Sequence, residues 1–152
     1  MVDFSELLMS PPGRLVLASL LGAAIGVERE WRRHGEGLRS CSLVAMATCT
    51  FAYLGITYGG NSPGAPLGAI IQGVGFLGAG VIMHEGARVG GLATAATFLS
   101  VAAVGALAGV GEIGFSLTMA GMTFAAHLLL RPISRLIARI APPFEPPSEH
   151  SR

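Results

Sequence analysis

Charge is missing from three long stretches of this chain, Cys41 to Pro66, Leu67 to Met83 and Val89 to Gly111. Water-soluble domains interrupt their apolar segments sooner, whereas a helix needs roughly 20 mostly apolar residues to cross the hydrocarbon of a bilayer. Charged residues make up 12% of the chain, about half the usual share, and they gather where these stretches end. The expected class is therefore an all-α integral membrane bundle of about five transmembrane helices. In lipid every backbone N–H and C=O must be satisfied within the segment, and a helix does that alone.

The division expected along the chain is a polar or interfacial lead over 1–13, a five-helix transmembrane domain over 14–130, an amphipathic interfacial helix over 131–141 and a disordered tail over 142–152. The first apolar run, Leu15 to Val27, is only 13 residues long. Two acids against one arginine precede it and no convincing cleavage site follows, so it is read as a retained span and not a signal peptide. To cross, this helix must extend through Glu28 and Arg29. The other spans are expected from Ser40 to Tyr58, Leu67 to Met83, Gly91 to Gly109 and Ile113 to Leu130, with Arg131-Pro132 closing the last. Arginines alternating with apolar residues from Ile133 to Ile140 suit anionic headgroups, not nucleic acid.

Residues 72–97 contain a GxGxxG pattern at Gly73, Gly75 and Gly78. A dinucleotide fold would need a preceding strand and an acidic residue about 20 positions on, and neither is present. Small residues three or four apart instead let membrane helices approach closely. The packing residues expected on this ground are Gly22, Gly26, Gly68, Gly75, Gly78, Ala79, Gly91 and Ala95. Gln72 falls on the face of Gly68, Gly75 and Ala79, and is expected on a helix seam. Cys41 and Cys49 lie on one helix, roughly 12 Å apart at 1.5 Å per residue, too far for a disulfide. They read as small apolar fillers.

All ten basic residues are arginines. With five spans, nine of them fall on one side and only Arg14 on the other. An excess of arginine marks the cytoplasmic side, so the amino terminus is expected in the periplasm and the carboxyl terminus in the cytoplasm. This topology gathers Glu28, Arg29, Arg39, His84, Glu85 and Arg88 in one layer, with Gln72, Thr94 and Thr97 deeper. Ionisable groups at membrane depth are functional candidates; a structural ion-pair lock is the alternative. His127 is read as an interfacial histidine, with a proton-relay role as the alternative. Only Glu28 and Glu85 offer carboxylates for Mg²⁺ in this layer, and the arginines oppose a cation. No cofactor is expected. No hydrolase triad, cysteine nucleophile or nucleotide motif is visible, so the reading is not an enzyme.

Leu-Gly-Ala runs through charged residues to Gly-Leu-x-Ser/Thr twice, at 21–40 and again at 77–94. The first two helices are therefore candidates for a parallel repeat of the next two.

Four motifs carry a resemblance to a known family: LGAAIGVEREW at 21–31, GLRS at 37–40, GVGFLGAGVI at 73–82 and GLATAAT at 91–97. Through them the chain resembles the MgtC/SapB family of bacterial inner-membrane proteins, in the short, SapB-like form without a soluble carboxy-terminal domain. The resemblance implies a link to magnesium limitation and virulence. It also implies a regulator of another membrane complex, such as the ATP synthase or a phosphate transporter. A homo-oligomer is expected. The alternative is a small transporter or channel for Mg²⁺ or another ion, with a path lined by Glu28, Gln72, Glu85, Thr94 and Thr97.

Overall fold

The computed structural model describes residues 4–31, 37–59, 64–82 and 91–140. Six helices follow one another: α1 (Phe4–Met9), α2 (Pro11–Trp31), α3 (Gly37–Tyr58), α4 (Ala65–Ile82), α5 (Leu92–Val110) and α6 (Ile113–Ile140). No strand occurs among the described residues. Four helices are long and apolar enough to cross a bilayer: α3, α4, α5 and the Ile113–Leu130 part of α6. The chain is an all-α membrane bundle. α2 has the length, at 21 residues, but carries Arg14, Glu28 and Arg29, and it sits inside the bundle against α3, α5 and α6. Pro11 and Pro12 open it where no intrahelical N–H is needed.

α5 is the central helix, in contact with α2, α3, α4 and α6. Small side chains make that possible. A Cβ on Gly105 would run into the Ala45 carbonyl, and one on Gly109 would lie 3.0 Å from Ala52 Cβ. The same face of α3 receives α2, where a Cβ on Gly22 would stand 2.6 Å from the Cys41 oxygen and one on Gly26 2.7 Å from Leu38 Cα. Cys41 and Cys49, both buried and reduced, are spacers along this double seam. Lipid removes the hydrophobic drive between helices, so close backbone contact of this kind is what holds them.

The two Gly-Leu-x-Ser/Thr elements take up matching positions. Gly37 begins α3 and Gly91 precedes α5. Gly22 packs on Cys41, four residues after Gly37, and Gly78 packs on Ala95, four residues after Gly91. Gly91 has φ 81°, and a Cβ there would meet the Val81 carbonyl at 2.8 Å, so both conformation and space demand glycine. The parallel repeat read from the sequence thus has a counterpart in helix register.

α4 departs from expectation. The face bearing Gly68, Gln72, Gly75 and Ala79 is exposed, and nothing lies within 4 Å of a Cβ on Gly68 or Gly75. The opposite stripe, Ile70, Val74 and Gly78, is buried. Ile70 and Val74 fit among Ala52, Ala102 and Ala106, and branched side chains in an alanine-lined groove gain more dispersion contact than bare glycines would. The seam expected at Gln72 does not form within one chain.

At the far end, α5 stops at Gly111 (φ 94°), where Gly111 N–H donates to Ala108 O and Glu112 N–H to Leu107 O. This is a Schellman turn. Arg14 adds its Nη1–H to the Gly109 carbonyl at 3.1 Å and its Nε–H to Met9 O at 2.9 Å, placing a cation at the negative end of α5. α6 continues unbroken through Arg131-Pro132 to Ile140, where a break between span and amphipathic helix was expected. Residues 141–152, the expected disordered tail, lie outside the described residues.

Candidate polar site between three helices

Glu28 and Arg29 end the uncharged part of α2, and its helical register turns both into the bundle, 8% and 7% exposed. An ionised side chain among apolar helices costs at least ~2.5 kcal/mol unless it finds partners. Arg29 finds them on α5: Nη1 donates to Thr97 Oγ1 at 2.9 Å and Nη2 to Thr94 Oγ1 at 2.8 Å. The planar fork of the guanidinium suits two hydroxyls placed three residues apart on one helical face.

Thr97 carries the network onward. Its hydroxyl lies 2.7 Å from the Ala93 carbonyl of its own helix and 2.9 Å from His127 Nε2 on α6. His127 Nδ1 is in turn 2.8 Å from the Thr123 carbonyl. One guanidinium, one hydroxyl and one imidazole thus stand in series across α2, α5 and α6.

Beside this series a cleft of about 580 Å³ opens between the first half of α5 and the second half of α6, within the size range of small-ligand sites. Its shape follows from the connection between the two helices. They leave a tight turn together, with Ser116 Oγ–H donating to Val104 O at 2.8 Å, and the cleft lies at the opposite end of the pair. Polar lining comes from Glu28, Arg29, Thr94, Thr97, Ser100 and His127, and Met119, Met122 and Leu130 form apolar walls. Ser100 and Thr123 spend their hydroxyl hydrogens on Ala96 O and Met119 O, so toward the cleft they offer acceptors.

Of the cluster expected from sequence, Glu28, Arg29, Thr94 and Thr97 come together. Arg39 is exposed at the start of α3 and Gln72 on α4, and neither lines the cleft. His84, Glu85 and Arg88 lie outside the described residues. Among the described residues no three His, Cys, Asp or Glu side chains converge as a metal site. His127 was underrated by the interfacial reading. Its signal is positional: Ser116, Thr123 and His127 recur at spacings of seven and four in the mostly apolar part of α6, which puts them on one face.

A model of the MgtC family matches residues 15–136 of the chain. The chain belongs to the MgtC family. Protein MgtC of Salmonella typhimurium is 43% identical over 126 residues, which cover 83% of this chain and 54% of that protein. Protein MgtC of Brucella abortus is 42% identical over 121 residues, 79% of this chain and 51% of its own length. An uncharacterised protein of Synechocystis is 41% identical over 125 residues, 82% and 53% respectively. The chain thus spans about half the length of the curated MgtC relatives it matches. No solved structure matches it. Both the Glu28–Arg29 pair and the Thr94–Thr97 pair fall inside the MgtC-family match.

Proposed function

We propose that this MgtC-family chain is a bacterial inner-membrane regulator that acts by docking another membrane complex, such as the ATP synthase or an ion or phosphate transporter. Its setting is growth under magnesium limitation and virulence. One observation supports docking most: α4 leaves Gly68, Gln72 and Gly75 uncovered on one face. A carboxamide among glycines in the middle of a span favours a protein neighbour over acyl chains. A second copy of the chain is one such neighbour. Arg29, by contrast, is engaged with α5 and fixes the bundle that presents this face.

The topology that goes with this reading has five spans, α2 to α6, an amino terminus in the periplasm and a carboxyl terminus in the cytoplasm. Arg29 and the cleft then lie toward the inner leaflet and Arg14 toward the outer one. The test is reconstitution. Liposomes holding the chain alone should pass no Mg²⁺ or phosphate, and adding the chain to liposomes that contain ATP synthase should change proton pumping. A small transporter or channel is the second reading, favoured by the acceptor-lined cleft beside Glu28. Mg²⁺ or phosphate flux through the chain alone, lost in Glu28→Gln with folding intact, would establish it and overturn the regulator.

A further inference from the structure

The Thr97 hydroxyl has a single hydrogen and three neighbours. Ala93 O only accepts, Arg29 Nη1–H only donates, and His127 Nε2 does either according to its protonation. The other ring nitrogen settles part of the arrangement. Nδ1 faces the Thr123 carbonyl at 2.8 Å, so it carries a hydrogen whatever the charge of the ring. In the neutral ring Nε2 is then an acceptor, and Thr97 must turn its hydrogen to it. Once Nε2 takes a proton from water it becomes a donor. Thr97 Oγ1 then accepts from both Arg29 and His127 and gives its hydrogen to Ala93 O. Both states pair every polar atom, but in the protonated one two cationic donors, Arg29 and His127, converge on a single hydroxyl oxygen.

We infer that His127 and the Thr97 hydroxyl form a proton-binding site that sets the separation of α5 and α6 at the cleft. The charged and titratable groups around it are few. α2 contributes Glu28 and Arg29, which cancel; α5 contributes hydroxyls alone; the described side chains of α6 contribute His127 itself. His84, Glu85 and Arg88 lie outside the described residues. Binding a proton therefore leaves an excess positive charge between helices, with Arg29 and His127 donating to one oxygen. Water entering the cleft relieves that charge, and α6 moves away from α5. The inference rests on this geometry and not on what the protein docks, so it stands or falls separately from the proposed function.

The experiment uses the full chain in phosphatidylcholine nanodiscs, a lipid whose charge stays fixed between pH 5 and 8. Spin labels at Ala96→Cys and Leu130→Cys, on opposite walls, report the width of the cleft by pulsed electron resonance. Cys41 and Cys49 are buried and stay in place. The expected result is a reversible widening of about 2 Å on going from pH 8 to pH 5, the scale of a helix shift. It should be lost in His127→Asn and in Thr97→Val. An unchanged distance, or a widening that survives His127→Asn, overturns the proposal. A readout without any change to the site is ¹⁵N imidazole resonance in a chain with His34, His84 and His150 replaced by glutamine. Nδ1 should stay protonated throughout while Nε2 gains a proton; a ring protonated only at Nε2, or one that never changes, overturns it.

Discussion

Arg29 on α2 and Thr97 on α5 are 68 residues apart in the chain and joined by a 2.9 Å hydrogen bond in the bundle. Thr97 is 2% exposed and Arg29 7%, so the contact is buried where the two helices meet. A hydrogen bond that involves a charged group is worth about 1.5–3 kcal/mol, and a cost near the upper limit, about 3 kcal/mol, is expected for Arg29→Ala, which removes two of them. Arg29→Lys should recover only part of it, since an ammonium cannot reach Thr94 and Thr97 in the fixed fork of a guanidinium. Reversible unfolding in mixed detergent micelles measures both.

Thr97→Val keeps the shape of the side chain and deletes the oxygen. The variant leaves an Arg29 N–H and His127 Nε2 without their shared partner, at an expected loss of about 2 kcal/mol. Thr97→Ser should stay within about 0.5 kcal/mol of the parent. Thr94→Val removes one bond from a half-exposed position and should fall between them. The same unfolding assay ranks the three, and a ranking with Thr94→Val worst would contradict the geometry.

Glycines that look alike in sequence should behave oppositely. Gly26→Ala presses a methyl against Gly37 and Leu38 of α3, so a loss of about 2 kcal/mol or failure to assemble is expected. Gly75→Ala meets open space and replaces the poorest helix former but proline with the best, so stability should hold or rise by up to about 1 kcal/mol. Folded yield after detergent extraction separates the two.

Arg14 closes the other end of the bundle. Arg14→Gln removes a cation from the last turn of α5 and should cost about 1 kcal/mol, while Gly111→Ala forces φ 94° on a residue with a Cβ, at about 1–2 kcal/mol. Hydrogen exchange at the α5–α6 turn should accelerate in both variants and stay unchanged around Thr97.

The all-α membrane class and the nearness of Glu28 and Arg29 to Thr94 and Thr97 were legible in the sequence because they depend on local signals; that Arg29 bonds to the two hydroxyls was not. Uncharged length marks a span, and two ionisable residues at its end must find partners. The side on which α4 packs was not legible. Gly68, Gly75 and Ala79 on one face and Ile70, Val74 and Gly78 on the other both satisfy helical spacing, and only the alanine groove of α3 and α5 decides between them. His127 stayed ambiguous for a related reason: four residues beyond Thr123 it reads as a residue at the membrane surface or as a proton relay, and only the packing of α6 beside α5 sets its ring next to Thr97. Arg39 has the charge and the depth of the cluster, but its place on α3 turns it outward.

A double-mutant cycle on Arg29→Gln and Thr97→Val, measured by unfolding in mixed micelles, tests directly whether charge and hydroxyl are joined inside the bundle. A coupling of about 1–3 kcal/mol between the two sites is predicted. Losses that add to within about 0.3 kcal/mol would mean that Arg29 reaches water and that the polar site between α2, α5 and α6 does not exist.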